Sequence, residues 1–426
     1  MNDQPAIDRL VTEWLRADAP PRAPQGLLAA ALEQAGATGQ QRPFGGRPFD
    51  AWIGRSPRLH WAIVGAILAL LLLGAVAGAG ALLRDPAVRP RLPQPSGLAR
   101  NGLVAYAQGG DIYTVDPVSG ISRAVVIGPE TDQTPVWSLD GTHFVFERKV
   151  IGDTGNGRLF VARADGSGVV AITAAPQSQL ASYAFSPDGS EVVYAAGPPA
   201  NSELWIAKAD GSGARRVDVG MSVHGPTYRP PNGAEIIFAG GSADGAGNGI
   251  YAVDVASGTL RTIVKPSAGV GLDWVSVAPD GSRVAYSVST SDPSRNTYSV
   301  HVSAIDGSGT VTLPMPQGAT FQDGPAWSND GTRIVVVRGY ATRNQDVALA
   351  VLPADGSAVG IETHRGLTGC CDTVSAWAPD DTSILMSPED LFGLTKPQLL
   401  LDPLTGVSRP TPWAAIGDPA WQRLAP

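Results

Sequence analysis

The sequence predicts an all-β protein, a β-propeller of four-stranded antiparallel blades, and two observations carry this prediction. First, a phrase made of an apolar residue, an Asp-Gly turn and an apolar strand returns every 43 to 50 residues. Second, a smaller polar turn, often Asp-Gly-Ser, separates two more strands within each unit. Four strands in a repeat of this length are typical of propeller blades. The copies of the phrase are WSLDGTHFVF (137–146), FSPDGSEVVY (185–194), YRPPNGAEIIF (228–238), VAPDGSRVAY (277–286), WSNDGTRIVVV (327–337) and WAPDDTSILM (377–386).

The first turn of each unit carries the strongest short-range signal for a hairpin. Asn-Gly and Asp-Gly between apolar strands favour such turns because these residues tolerate positive φ. We expect the turn aspartates to bond their own backbone rather than a metal ion, since no unit clusters acidic residues as a Ca²⁺ loop does. The turns are Asp140-Gly141, Asp188-Gly189, Asn232-Gly233, Asp280-Gly281, Asp330-Gly331 and Asp380-Asp381.

The number of blades follows from the residue that ends the first strand of each unit. The last unit stops soon after Trp421, whereas LVAY at 103–106 matches the second strand of the later units. We therefore expect the C-terminal strand to complete the N-terminal blade, so that the ring has no free edges. Seven positions give seven blades: Trp137, Phe185, Tyr228, Val277, Trp327, Trp377 and Trp421.

The repeated phrase resembles that of the TolB-like propellers, which are built from WD40-like PD40 repeats. The resemblance extends over residues 101 to 426, and Ser186–Gly189 matches the family phrase best. Leu139, Pro231 and Asn329 depart from it. The resemblance implies a propeller domain over residues 99–426, and it is compatible with six blades as well as seven.

Charge and cysteine content exclude several classes of function. Residues 1–83 hold seven Arg and six Asp or Glu, whereas residues 84–426 hold 24 Lys or Arg and 33 Asp or Glu. Such an acidic domain is unsuited to binding the negatively charged phosphate backbone of DNA or RNA, so we expect no nucleic-acid partner. Cys370 and Cys371 have no further ligands at zinc spacing, so we expect neither a metal nor another cofactor. Free thiols, a vicinal disulfide and an intermolecular bridge stay open for this pair.

An uncharged stretch of 23 residues, Trp61–Leu83, predicts a transmembrane helix over residues 59–84. A helix of this length spans the hydrocarbon core of a bilayer, about 30 Å thick. It starts too late and is too long for a cleaved signal, although the Ala-Gly run near Ala79 keeps cleavage open. Arginines flank both ends equally, so the positive-inside rule selects no orientation. We expect a single-pass protein of the bacterial plasma membrane with a cytoplasmic N-terminus and an extracytoplasmic propeller.

The segment before the membrane has helical spacing of apolar residues at Ile7, Leu10, Val11 and Trp14. It predicts a short amphipathic helical segment over residues 1–35, followed by a flexible linker over 36–58. The segment resembles cytoplasmic segments of bacterial membrane proteins encoded beside extracytoplasmic-function sigma factors. It lacks the His and Cys zinc ligands of anti-sigma domains. The resemblance implies a cytoplasmic regulator that binds residues 5–35, and a pair of membrane-surface helices without a partner is the alternative.

A Pro-rich spacer over residues 85–98 separates the predicted transmembrane helix from the propeller. Its four prolines between Asp85 and Ser96 favour an extended chain. We expect the spacer to hold the propeller off the lipid.

Acidic residues recur shortly before the first strands of the units, where they would lie at the rim of the central channel. A ring of carboxylates there would focus negative potential and favour a cation or a basic peptide. Solvated or backbone-bonded aspartates are the alternative. The candidate ligand-binding residues are Asp132, His224, Asp273, Asp323, Asp372 and Asp418.

No catalytic constellation is visible in the sequence. It has no Gly-x-Ser-x-Gly elbow, no His-x-x-x-His pair and no Walker motif. We therefore expect a membrane-anchored, non-enzymatic propeller that binds a protein or peptide ligand or serves as a scaffold. The first alternative is a signalling protein that relays ligand binding to a cytoplasmic regulator such as a sigma factor. The second is an enzyme that uses the propeller funnel.

Overall fold

The structure of the chain is a computed structural model. It describes residues 97–149, 156–173, 177–178, 180, 182–198, 201–241, 248–265, 267, 269–292, 295–340, 346–368, 374–387, 398–413 and 419–425. The predicted N-terminal segment, linker and transmembrane helix, most of the spacer, and the two cysteines lie outside these residues. A search of the described residues finds no helix with the length and apolar character needed to cross a membrane.

The described chain is all-β, and its strands have the apolar, alternating composition that the repeat predicts. The strands of the first half are β1 (Arg100–Gln108), β2 (Asp111–Val115), β3 (Ser122–Val126), β4 (Thr131–Trp137), β5 (His143–Lys149), β6 (Asn156–Arg163), β7 (Val170–Ala171), β8 (Gln177–Ser178), β9 (Ser182–Phe185), β10 (Glu191–Ala196), β11 (Glu203–Lys208), β12 (Ala214–Val217), β13 (Ser222–Tyr228), β14 (Glu235–Gly241), β15 (Asn248–Asp254) and β16 (Leu260–Val264). Those of the second half are β17 (Val270–Val277), β18 (Arg283–Asp292), β19 (Arg295–Ala304), β20 (Val311–Thr312), β21 (Ala319–Trp327), β22 (Arg333–Tyr340), β23 (Asp346–Pro353), β24 (Ile361–Thr368), β25 (Val374–Trp377), β26 (Ile384–Ser387), β27 (Leu399–Leu401), β28 (Ser408–Pro410) and β29 (Ala420–Leu424).

The strands assemble into antiparallel sheets of four in chain order, as the repeat predicts. Strands β9 to β12, β13 to β16 and β25 to β28 each form one sheet, and β4 to β7 form another that β8 joins through β6. Strands β17 to β20 and β21 to β24 share one larger sheet through a single parallel pair, Tyr298 and Phe321. The C-terminal strand β29 pairs with β1, where Trp421 lies opposite Val104. This closure by the C-terminal strand agrees with the sequence prediction.

The first strands of neighbouring sheets contact one another. Contacts join β29 to β4, β9 to β13, β13 to β17, β17 to β21, β21 to β25 and β25 to β29. Tryptophans at the ends of these strands reinforce the packing between sheets. The indole N–H of Trp137 donates to the carbonyl oxygen of Ala420, and that of Trp327 donates to Ser276, both at 3.1 Å. The apolar core therefore lies between successive sheets, as in a propeller.

The aspartates of the repeated phrase stabilise its turn, as the sequence predicts. In the copy that matches the family phrase best, the Asp188 carboxylate accepts hydrogen bonds from the Ser186 hydroxyl at 2.6 Å and from the Ser190 backbone N–H at 3.0 Å. Asp140 and Asp330 accept the same bonds in their own turns. These carboxylates are therefore structural acceptors.

Acid is expected to destabilise the propeller through these turns. The hydrogen bond from Ser186, opposed by partial burial, holds the pKa of Asp188 below its ordinary value of 3.8. A carboxyl whose pKa is lowered by folding stabilises the fold above its unfolded pKa, and this contribution is lost as the pH falls through the folded pKa. The free energy of unfolding, measured in urea, should be flat near neutral pH and should fall below pH 3.8. Asp188→Asn should reduce that slope, and an unchanged slope would argue against the turn.

Candidate functional site

A β-bulge at the same position of four first strands shapes the inner part of the sheets. In β4, β13, β17 and β21 a step of three residues along the first strand faces a step of two along the second, so the register shifts by one residue. A bulge leaves an extra residue in one strand, bends that strand and re-aims its side chains. The residues that precede the bulges are equivalent positions of four blades: Gln133, His224, Asp273 and Asp323.

The residue after each of these positions has left-handed backbone. Gly225 and Gly324 have φ of 56° and 62°, which glycine adopts without strain. Thr134 and Trp274 have φ of 52° and 50°, where a β-branched or bulky side chain is a true outlier. Trp274 is also 61 % exposed. The indole ring of Trp274 is therefore exposed to solvent at a position where two other blades have glycine.

Three of the candidate rim residues lie within electrostatic reach of one another. Burial raises the pKa of Asp273, the positive charge of His224 opposes that rise, and the charge of Asp323 adds to it. A side-chain hydrogen bond with Asn248 also lowers the pKa of Asp273. Asp273 thus lies within Coulombic range of His224 and Asp323, which belong to β13 and β21, the first strands on either side of β17. With Asn248 and Trp274 these three residues form what we call the inner-strand cluster.

Asp132 has a different environment from the other candidates. It lies one residue before Gln133, and a shift of one residue turns a strand side chain to the other face. Its carboxylate is 1 % exposed and makes a bidentate ion pair with Arg148, at 2.6 and 2.8 Å. Gln133 instead donates to the Glu147 carboxylate at 2.7 Å. Asp132 is therefore a buried structural residue, paired with Arg148 across two neighbouring strands of its own sheet.

Removing the carboxylate at these two positions is expected to have opposite consequences. Asp132→Asn should lower the free energy of unfolding by about 2–4 kcal/mol, because it leaves the Arg148 guanidinium unpaired. Asp273→Asn should be neutral or slightly stabilising at pH 7, because folding raises the pKa of Asp273 and so disfavours its ionised form. Urea unfolding of both variants measures the difference. Equal losses would contradict the assignment of Asp132 to structure and Asp273 to a surface site.

The remaining candidates, Asp372 and Asp418, lie outside the described residues. Within those residues, no group of three or more His, Cys, Asp or Glu side chains is arranged to hold a metal ion. The chemistry of the inner-strand cluster is that of a polar surface with two carboxylates, one imidazole, one amide and one indole. Such a set binds organic cations through charge, hydrogen bonds and the aromatic face.

Sequence reasoning missed Trp274 and Asn248. The signal for Trp274 was present, since the equivalent residues are Gly225 in the preceding blade and Gly324 in the following one. A tryptophan that replaces glycine at a position of positive φ indicates a role other than turn formation. Asn248 is the first residue of β15, and nothing in its sequence context indicated a role at the site.

The comparison with known proteins rests on solved structures. No protein-family model matches the sequence, and the search of curated proteins finds no match. An oligogalacturonate lyase from Vibrio parahaemolyticus is 11 % identical, with 74 % of this chain and 85 % of the lyase covered and a TM-score of 0.54. A prolyl endopeptidase is 13 % identical, with 75 % and 50 % covered and a TM-score of 0.54. TolB from Acinetobacter baumannii is 16 % identical, with 75 % and 66 % covered and a TM-score of 0.45.

The coverage and the sequence identity of these matches limit the conclusions that can be drawn from them. The chain spans just under two thirds of the Acinetobacter TolB and half of the peptidase. At identities of 11 and 13 %, likeness to the lyase and the peptidase reports on the fold alone. The chain therefore shares its fold with the lyase and the peptidase, and its own four-stranded antiparallel sheets are those of a β-propeller.

Proposed function

We propose that the chain is a membrane-anchored, non-enzymatic β-propeller that binds a cationic segment of a protein or peptide at the inner-strand cluster. The observation that carries this proposal is the exposed Trp274 beside Asp273, whose carboxylate lies near His224 and Asp323. Neighbours with this fold include enzymes as well as TolB, so the fold does not decide between binding and catalysis. The proposal rests on the chemistry of the cluster.

We also propose that the ring has seven blades. Support comes from the seven first strands: β4, β9, β13, β17, β21 and β25 end at the positions predicted from sequence, and β29 contains Trp421. Contacts join successive first strands from β9 to β25 and then through β29 to β4. The pairing of β29 with β1 gives the N-terminal sheet four strands like the others.

The ligand chemistry follows from the two carboxylates and the indole. An ammonium or guanidinium group is attracted to the face of a tryptophan and to a nearby carboxylate. Partial burial of Asp273 strengthens its interaction with such a cation, because the local dielectric is lower than in bulk water. Burial raises the pKa of Asp273 and so disfavours its ionised form, which a cation beside the carboxylate would stabilise. Lysine and arginine side chains of a partner protein carry such a cation.

Binding of an oligoarginine peptide tests the proposal. Trp274→Gly should weaken binding about two- to thirtyfold through loss of the cation–π contact, which is about 0.5–2 kcal/mol. The same substitution should leave the thermal midpoint unchanged or raise it, because glycine relieves the strain at φ 50°. Asp273→Asn should weaken binding about tenfold through loss of a charge-assisted hydrogen bond. Calorimetric titration of the full chain measures each constant.

Two controls sharpen this experiment. Asp355→Asn changes an exposed turn aspartate whose carboxylate accepts the Ser357 N–H at 2.9 Å, and it should leave peptide affinity unchanged. An oligoglutamate peptide should not bind. If oligoarginine binds Trp274→Gly, Asp273→Asn and Asp355→Asn equally well, the inner-strand cluster is not the binding site.

The membrane anchor is part of the proposal and has its own support. The uncharged stretch Trp61–Leu83 has the length and composition of a membrane-spanning helix. We propose a single pass through the bacterial plasma membrane with the propeller outside the cytoplasm. Protease treatment of intact cells should digest residues 97–426 and protect residues 1–60. Digestion of the N-terminal segment alone would reverse the orientation.

A further inference from the structure

Exposed apolar side chains concentrate in two equivalent turns of neighbouring sheets. Among the described residues, six large apolar side chains are at least 61 % exposed, and four of them lie in these turns. Val118 and Ile121 follow β2, whereas Leu404 and Val407 follow β27. Leu98, which is 53 % exposed, lies just before β1. We call these five residues the seam patch, because they flank the sheets joined at β29.

The same turns of the other four-stranded units carry smaller or less exposed side chains. Asp-Gly-Ser occupies 165–167, 210–212, 306–308 and 355–357, and the turn at 254–258 has Ala256 where Val118 and Leu404 stand. The valines that follow three of these turns, Val169, Val311 and Val359, are 38 %, 38 % and 43 % exposed. Both kinds of turn use an aspartate in the same way, since Asp116 accepts from the Val118 N–H and Asp402 from the Leu404 N–H, each at 2.8 Å. Turn formation therefore does not require the exposed valine or leucine. Large exposed apolar side chains that folding does not need mark a contact surface.

The register of the strands places the seam patch at one edge of the fold, where the chain enters it. Val104, near the start of β1, lies opposite Val115, the last residue before the first turn. The backbone N–H of Ala99 donates to the carbonyl oxygen of Pro379 at 2.9 Å, so the second sheet presents the same edge there. Leu401, the last strand residue before the second turn, lies opposite Ile384, which follows the turn that contains Pro379. Both turns therefore lie at the ends of their sheets where the chain enters.

The chain that leads into this face begins at the apolar stretch 61–83. Only residues 84–96 lie between that stretch and Gly97, and they reach at most about 45 Å when fully extended. Three exposed arginines, Arg100, Arg123 and Arg409, belong to the strand ends beside the patch. Arg84, Arg89 and Arg91 add positive charge to the connecting chain. Asp116 and Asp402 are exposed in the turns themselves and Asp85 lies in the connecting chain, so these segments carry six basic and three acidic side chains. Apolar side chains with an excess of basic ones suit the surface of an anionic bilayer.

We propose that the seam patch contacts the lipid surface, so that the propeller lies on the bilayer by this edge instead of being held off the lipid by the spacer, as we expected from the sequence. The inference rests on the proposed membrane anchor. Anchoring by residues 61–83 keeps the patch close to lipid, and insertion of Val118, Ile121, Leu404 and Val407 then fixes which face of the ring points to the membrane. The inner-strand cluster lies on strands that reach away from this edge, where it stays open to a partner.

The test places an environment-sensitive fluorophore on the full chain in liposomes that contain anionic lipid. The label is attached to Val118→Cys, to Leu404→Cys and to the control Ser212→Cys, in a background with both native cysteines replaced by serine. Ser212 is exposed in the equivalent turn of a sheet distant from the seam. We expect labels at 118 and 404 to emit at shorter wavelength and to be quenched by spin-labelled lipid, whereas the label at 212 stays unquenched.

Three other outcomes overturn the inference. Labels at 118 and 404 that behave like the one at 212 would leave the patch in water. A shift to shorter wavelength without quenching by lipid would mean that protein, such as a second copy of this chain, covers the patch. Flotation of the liposomes tests the anchor separately: a chain that does not float refutes anchor and patch together, and a floating chain with unquenched labels refutes the patch alone.

Discussion

Deleting residues 420–426 is expected to abolish cooperative unfolding of the propeller. Strand β29 is the first strand of the sheet that β1 to β3 complete, and without it β1 exposes an unpaired edge. The deletion also removes Trp421, which packs in one apolar cluster with Val104, Tyr106 and Leu400. Open sheets with free edges aggregate, so sedimentation should detect oligomers of the truncated chain.

Side chains of β29 also connect sheets that are distant in sequence. The Gln422 amide accepts from the Leu103 N–H at 2.9 Å and donates to the Gly141 carbonyl oxygen at 2.6 Å. The Arg423 guanidinium donates to the backbone oxygen of Gly97 and to the side chain of Asn329. The strand therefore fastens three sheets at once. This arrangement explains why its removal should disrupt the whole ring rather than one blade.

A point substitution makes the same prediction quantitative. Trp421→Ala should lower the free energy of unfolding by about 3–5 kcal/mol, the usual cost of emptying a buried aromatic site. The matched control is Trp274→Ala, since Trp274 is 61 % exposed and Trp421 only 9 %. The control should change stability by less than about 0.5 kcal/mol. Urea unfolding of both variants decides the matter, and similar values would mean that β29 does not close the ring.

The sequence predicted the sheets well because their signals are local and repeated. Each hairpin needs an Asp-Gly turn between apolar strands, and both are visible in a single unit. The pairing of β29 with β1 was also predictable, since LVAY at 103–106 matches the second strand of other units and lacks a first strand before it. Repetition thus supplied a long-range contact that isolated motifs do not reveal.

The inner-strand cluster was harder to predict because it depends on register. Counting residues back from the phrase placed Asp132 with Asp273 and Asp323, but the bulge in β4 follows Gln133. Asp132 and Gln133 are one residue apart in β4, so their side chains point to opposite faces of the strand, and only Gln133 is at the position equivalent to Asp273 and Asp323. Strand pairing with a bulge leaves no mark in composition. Trp274 could have been found from sequence, because Gly225 and Gly324 occupy the equivalent positions of the neighbouring units.

Two departures from the repeated phrase, Asn329 and Asp381, depend on each other in the structure. Asp381 stands where other copies have glycine and keeps the left-handed backbone, with φ of 58°. Its carboxylate accepts from the backbone and side-chain N–H groups of Asn329 and from the Asp330 N–H, each at 2.8 Å. It is 6 % exposed, and its charge partly offsets the burial that lowers the pKa of Arg423.

Replacing Asp381 by glycine is therefore expected to destabilise the protein although it restores the common phrase. Glycine suits the backbone, so the loss of about 2–4 kcal/mol comes from unpaired N–H groups and from an uncompensated Arg423. Asn329→Pro removes two of those donors, the backbone and side-chain N–H groups of residue 329, and Pro279 and Pro379 occupy the same position of other copies. The double variant should thus be more stable than the sum of the two single changes by about 1–2 kcal/mol.

Urea unfolding of the two single variants and the double variant measures this coupling. Asp355→Ala, in an exposed turn, is the control and should cost less than about 1 kcal/mol. Additive losses at 329 and 381 would contradict the mutual dependence, because the two residues would then act on separate partners. A positive coupling would mean that paired departures from a repeat stabilise contacts between blades that the repeated phrase alone does not make.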